Sequence, residues 1–313
     1  MKIIDAHAHV VQCIAGFTSR GELRSAGGGR ARYADGSEFQ MIPQKFGESF
    51  TADDLVSVMD ENGVEKAVLL QGQFFGFQNE YTAEAVKKYP HRFAGAGSYD
   101  PFCAKAEEVK HRLFKELGFK AVKFEMSNGS GLMAYHRPID LDGEIMNECY
   151  RYAADNGLVV VMDIGRPRNC CWQVDRLASA VKKYSQITFV VCHLLAPQRT
   201  DTELLKEALS KPFFLTKKDS LFTVQSYRLL SSMPHSSPRG SGELKQTVAA
   251  DSRSVPILLR PIFIRRLREV RTTVSGIGLS FRFKAKENSR EKSISDTGIF
   301  RGAYPTQENS SVS

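Results

Sequence analysis

The sequence predicts an α/β protein of the (β/α)8-barrel, TIM-barrel-like class, in which the first six β/α units are recognisable. Three observations predict it. Apolar runs rich in Val, Ile and Phe alternate with helix-patterned stretches over residues 1–210, and runs this uniformly apolar suit parallel strands covered on both faces. From the second run to the sixth the starts fall 26 to 38 residues apart, the length of one strand and one helix. No G-x-G-x-x-G follows the first run, and the first crossover, residues 11–50, is long. The alternation alone would also fit an open doubly wound sheet, but a barrel places such an excursion over its C-terminal face, where active sites are built.

The elements follow in order. The first strand is "KIIDAH" at the N-terminus. The excursion after it, with "SAGGGRARYADGS" at its centre, reads as a mobile glycine-rich cover. A helix over 51–63 has Thr51 as N-cap, acids in its first turn and Gly63 as its stop. Strands follow at "KAVLLQ" (66–71), "RFAGAGSY" (92–99), "KAVKFEM" (120–126), "LVVVMDIG" (158–165) and "ITFVVCHL" (187–194). Helices over 104–118 and 141–157 both run into a glycine.

After about Lys211 the rhythm fails. Serine clusters such as "SSMPHSSPRGSG" replace it, and the charge changes: residues 211–313 hold 18 Lys+Arg against 8 Asp+Glu, whereas residues 1–210 hold 25 against 27. The chain therefore divides into a barrel portion, 1–210, and a basic, Ser-rich tail, 211–313. The tail lacks the spacing of recognised nucleic-acid modules, and no apolar run reaches transmembrane length. The six cysteines show no paired metal spacing and no secreted framework. The expected setting is a reducing cytoplasm, with a small-molecule substrate, no nucleic-acid or membrane partner, and a homo-oligomer left open.

"IDAHAHV" carries the chemistry. His7 and His9 lie two apart at the end of the first strand, so the period of two turns both imidazoles to one face, into the barrel mouth, where they can share a metal ion. Asp5, two residues earlier, suits a role in orienting a ligand. The alternative for each histidine is a satisfied core residue.

Together, "IDAHAHV", "VKFEMSNGSGLM", "VVMDIGRP" with "QVDRLASAVKKY", and "FVVCHLLAP" resemble the amidohydrolase-related proteins, a superfamily of metal-dependent hydrolases and decarboxylases on a (β/α)8 barrel. The resemblance covers roughly residues 1–210. It implies a divalent metal, with zinc the first choice, held by His7, His9 and His193, the last either binding metal or polarising the substrate. It implies catalytic roles for His193, for Glu125 at the end of strand four and for Asp163 at the end of strand five, where relatives often carry histidine. Lys123 shares the face of Glu125, two residues deeper. Each of Glu125, Asp163 and His193 has the alternative of a satisfied polar residue. The implied activity is hydrolysis or decarboxylation of a small molecule through a metal-activated water. A metal-dependent phosphoesterase or deoxyribonuclease barrel is the second reading, with Arg166 and Arg168 as its candidate phosphate contacts. A truncated, catalytically inactive barrel is the third.

The resemblance also implies a proton-shuttling aspartate at the end of strand eight, and "AADSRSVPILLRPIFIRRLREV" (249–270) has none in place. With permitted codons, "DSRSVPILLRP" (251–261) read one base out of frame spells LTFGTDIAPP, the segment such a strand would carry. In the same register "SDTGIF" (295–300) permits YGNF, which resembles a later segment of these relatives. These two matches suggest a change of reading frame near residues 208–220, which would also account for the charge break.

Overall fold

A computed structural model describes residues 3–196 and 199–210, and the backbone of 221–224, 256–257 and 270–271. The first strand, β1 (Ile3–Ala8), leads into four short strands, β2 (Ala15–Thr18), β3 (Gly21–Gly27), β4 (Arg30–Tyr33) and β5 (Glu38–Gln40). Alternation follows: α1 (Ala52–Glu61), β6 (Val64–Leu70), α2 (Asn79–Lys88), β7 (Phe93–Ala96), α3 (Ala106–His111), β8 (Ala121–Glu125), α4 (Glu144–Asp155), β9 (Val159–Asp163), α5 (Val174–Lys183), β10 (Phe189–Cys192), α6 (Thr202–Ser210) and β11 (Leu221–Val224).

Strands β1, β6 and β7 form one parallel sheet, and β8, β9, β10 and β11 a second. A parallel bridge between Gly97 and Val122 joins them, with Gly97 N donating to Ala121 O at 2.9 Å and Lys123 N to Gly97 O at 2.8 Å. Neighbours in space are thus neighbours in sequence, all pointing one way, which is the strand order of a β/α barrel wall. Glycine at 97 leaves room for the Phe119 ring, which a Cβ there would approach to 3.1 Å.

The period of two sorts the wall. On β8 to β10, Val122, Phe124, Val160, Met162, Phe189 and Val191 face outward and pack with the helices around Tyr150 and Leu177. Ala121, Val159, Val161, Val190 and Cys192 face inward and form a core of small side chains. Lys123, Glu125 and Asp163 fall on that inward register. Helix α1 starts as its sequence requires: Thr51 Oγ1 accepts from Asp54 N at 3.2 Å, and Asp54 returns the bond to Thr51 N at 2.8 Å.

Two features differ from the sequence reading. The crossover after β1 is a packed antiparallel sheet, ordered β2-β3-β4-β5, rather than a mobile loop. It has its own core of Val11, Ile14, Leu23, Ala31, Ile42 and Phe75, and its three glycines form the β3–β4 turn at positive φ. The sheet docks over the barrel mouth, with Phe17 N donating to Gln73 O at 2.9 Å and Ser19 N to Gly129 O at 2.9 Å. Alternation within strands of three to seven residues is easily hidden by glycine and arginine at the exposed positions, which is why the pattern reads as a loop. The second difference is β11, a seventh parallel strand beyond residue 210, which is too short for a periodicity to show.

Gly16 fits the docking: a Cβ there would overlap the backbone oxygen of Phe74. Gly16→Ala is expected to lift the inserted sheet off the barrel at a cost of about 2–4 kcal/mol. Hydrogen exchange should show β2 and β3 losing protection while β8 to β10 keep theirs. Unchanged protection of β2 would refute the docking.

Candidate active site

Every strand of the wall ends at the same mouth, and β1 extends there into His7 and His9. The ring centroids of His7 and His9 lie 4.9 Å apart at 71°, and His193, just past β10, stacks on His7 at 4.7 Å and 28°. Three predicted residues from opposite sides of the wall therefore meet. His193 reaches across from a left-handed backbone, φ 54°, followed by Leu195 and Ala196, also at positive φ. Such a run of non-glycine residues is strained, and it turns the chain sharply at the rim.

Asp163 also joins the cluster, its Oδ2 3.2 Å from His193 Nε2, while its Oδ1 accepts from Gly165 N at 3.0 Å. Burial works against the Asp163 charge, but His193, Lys123 and the Gly165 amide outweigh it and hold the carboxyl well below its ordinary range. Glu125 faces Asp163 across the β8–β9 register. Burial raises its carboxyl pKa, with Lys123 opposing and Asp163 reinforcing the shift. One oxygen, Oε1, accepts from Ser130 Oγ at 2.8 Å and Ser127 Oγ at 3.3 Å.

The histidines of β1 are held neutral. Burial first, then Lys123 and the neighbouring rings, pushes His7 well below its ordinary pKa and His9 down to about 3, against a partial lift of His9 from Leu70 and Gln71. Both ring nitrogens of His7 and Nδ1 of His9 are buried without a hydrogen-bond partner. Neutral buried imidazoles with open lone pairs fit a divalent metal, which takes nitrogen in its unprotonated form. As the side chains stand, no group of three or more His, Cys, Asp or Glu among the described residues is drawn together as a finished metal site, and His7 and His193 meet face to face.

Sequence reasoning missed Gln71, Lys123 as a charge source, and the serine turn after β8. Gln71 is fully buried; its amide accepts from Val10 N at 3.4 Å and donates to Val10 O, tying β6 to the chain just past His9. The polar "QGQ" that ends an apolar strand was the available signal. Asp5 orients the cluster through the backbone, accepting from His7 N at 2.9 Å, rather than through a ring. Arg168, a candidate phosphate contact, is instead paired with the buried Asp201.

The sequence profile described as amidohydrolase matches residues 4–211. The chain belongs to the amidohydrolase family. No protein of curated description matches this amidohydrolase chain. Among solved structures it is similar to a protein of Acinetobacter baumannii described as a 2-pyrone-4,6-dicarboxylic acid hydrolase, with 17% identity over 74% of this chain and 86% of that one, at a TM-score of 0.46. A Pseudomonas putida protein of the same description gives 19% identity, 74% and 71% coverage and a TM-score of 0.47. The 5-carboxyvanillate decarboxylase of Novosphingobium aromaticivorans, complexed with manganese, gives 19% identity over 49% of this chain and 51% of that one, at a TM-score of 0.37.

Asp5 permits a test by pH. Burial pushes its carboxyl from 3.8 to about 6, partly opposed by the His7 amide. A raised carboxyl gives stability that is fully present below about pH 3.8 and is lost as pH rises through about 6. Above that, the buried charge costs on the order of 3 kcal/mol. In chelator-treated protein, Asp5→Asn is therefore expected to gain in Tm over the native chain as pH is raised from about 4 to about 7.5. A difference in Tm that stays flat over this range would contradict the raised carboxyl.

Proposed function

We propose that this amidohydrolase-family chain is a metal-dependent hydrolase or decarboxylase acting on a small molecule. The observation that carries the reading is the pair of neutral histidines at the end of β1, with both ring nitrogens of buried His7 and Nδ1 of half-buried His9 lacking a protein partner and His193 stacked on His7. Buried polar atoms left without partners are uncommon and costly, and a cation held by His7, His9 and His193 would give a partner to the lone-pair nitrogen of each ring. When bound, a divalent ion, zinc in our reading, supplies Lewis acidity to a carbonyl group and to water.

The chain's own residues divide the remaining work. Asp163 holds His193 in place by its Oδ2. Glu125 is the carboxylate we assign to take a proton from water and return it to a leaving group, its pKa raised above the ordinary carboxylate value by burial. The sheet of β2 to β5, docked on the loops after β6 and β8, is placed to limit bulk water there. The strand-eight aspartate implied by the resemblance has no counterpart in the described residues: Pro256–Ile257 pairs antiparallel with Val270–Arg271 instead of adding an eighth parallel strand. Among the described residues we assign the proton shuttle to Glu125. We place the activity in the cytoplasm; no described helix is long and apolar enough to cross a membrane. Of the two arginines on which the phosphoesterase reading rests, Arg168 is engaged with Asp201.

The test is to strip the chain with a chelator and titrate zinc back, expecting about one ion per chain, followed by turnover on a panel of small amides, lactones and carboxylates. Failure to take up any divalent ion at neutral pH would end the metal reading.

A further inference from the structure

We propose that Ser130, with Ser127, is a positioning residue for Glu125, and that Gly72 on the facing loop leaves the space into which this carboxylate is aimed. The inference deepens the proposed function and rests on the role given there to Glu125.

The turn after β8 is built around this carboxylate. Ser130 Oγ donates to Glu125 Oε1 at 2.8 Å and Ser127 Oγ to the same oxygen at 3.3 Å, while Ser127 Oγ and Ser130 Oγ lie 3.4 Å apart. The backbone closes the turn: Ser130 N donates to Ser127 Oγ at 3.4 Å, and Gly131 N to Ser127 O at 3.0 Å. Gly131 is required because a Cβ there would overlap the carbonyl of Glu125 itself. Both hydroxyls thus converge on Oε1, and the side chain cannot turn without breaking the pair.

The other oxygen is set from a different element. Gly72 lies two residues past β6, and a Cβ added to it would overlap Oε2 of Glu125. Glycine at 72 has no positive φ to explain it; the close approach of the carboxylate does. A hydroxyl turn on one side and a bare Cα on the other leave Glu125 one orientation, with Oε1 occupied by the serine hydroxyls and Oε2 set against the Cα of Gly72 in the loop after β6. Fixing a proton-transfer group in one orientation is worth more to turnover than to binding, because its effect is felt as the proton moves.

Two variants from separate elements test this. Ser130→Ala removes the short bond, Gly72→Ala forces Oε2 aside, and Ser130→Thr restores the hydroxyl. The first readout is the 13C resonance of the Glu125 side-chain carboxyl at fixed pH in the full chain, assigned by its loss in Glu125→Gln. It is expected to shift in Ser130→Ala and in Gly72→Ala and to return in Ser130→Thr. The second is turnover with any substrate found, where Ser130→Ala is expected to lower kcat on the order of tenfold with KM within about twofold. A resonance that stays put in both Ser130→Ala and Gly72→Ala overturns the proposal. The carboxyl signal needs neither metal nor turnover, so a chain without hydrolase activity would defeat the proposed function while the positioning of Glu125 is still decided.

Discussion

Alanine at His7 or His9 is expected to abolish retention of a divalent metal, with affinity falling more than about a hundredfold, while the metal-free fold changes little. The asymmetry follows from the burial. His7 places two ring nitrogens where no protein group meets them, and each such atom costs about 1–3 kcal/mol in desolvation. Removing the ring gives that penalty back and leaves a cavity in exchange, so the two effects oppose each other in the metal-free protein. With metal present the native chain alone is stabilised, by about 2.7 kcal/mol at a free ion concentration a hundred times Kd. Melting curves with and without zinc should therefore separate the native chain from His7→Ala only when zinc is added. Full metal content in both alanine variants would remove His7 and His9 from the site.

Restoring the shifted reading frame after about residue 210 is expected to give a chain with higher soluble yield, tighter metal binding and faster turnover, whereas the chain as written, left to Glu125 for proton transfer, should turn over more slowly. The family match ends at residue 211, where the formal charge also changes. In the described backbone, "PI" at 256–257 joins a two-residue antiparallel pair with 270–271, and Pro256 lacks the amide donor that a central barrel strand needs. The shifted frame would place an aspartate across those two codons. Among the described residues strand β11 pairs with β10 on one side only, and a parallel wall left unclosed would expose backbone donors and acceptors that favour association. Expressing both chains and comparing yield, bound metal and turnover decides the matter. If the chain as written equals the restored one, the tail is a working part of the protein. Sequencing the coding DNA gives an independent reading: a stop codon in the shifted frame between the two matches rules the frame change out.

Much of the barrel was legible because parallel strands write themselves as unbroken apolar runs and their helices begin and end on caps and glycines. Thr51 and Gly63 are examples. His7 and His9 were legible because two residues on one strand share a face by local geometry alone. The inserted sheet was not, because its strands are short, its turns are rich in glycine, and half its side chains face solvent. Nor was the serine turn: "SNGSG" is an ordinary loop sequence, and only the return of the chain beneath Glu125 gives its hydroxyls an object.

The sequence by itself determined the alternation of the first six β/α units, the shared face of His7 and His9 and that of Lys123 and Glu125, and the break in charge after residue 210. Each follows from local periodicity or composition, which needs no partner to act. Tertiary structure alone decided that His193 stacks on His7, that Asp163 holds His193, that Gln71 braces the chain past His9, and that Gly72 and Ser130 confine Glu125 from opposite sides. Those contacts join residues between five and some 190 positions apart in the chain, and their existence depends on how far the wall curves, a quantity no single segment encodes.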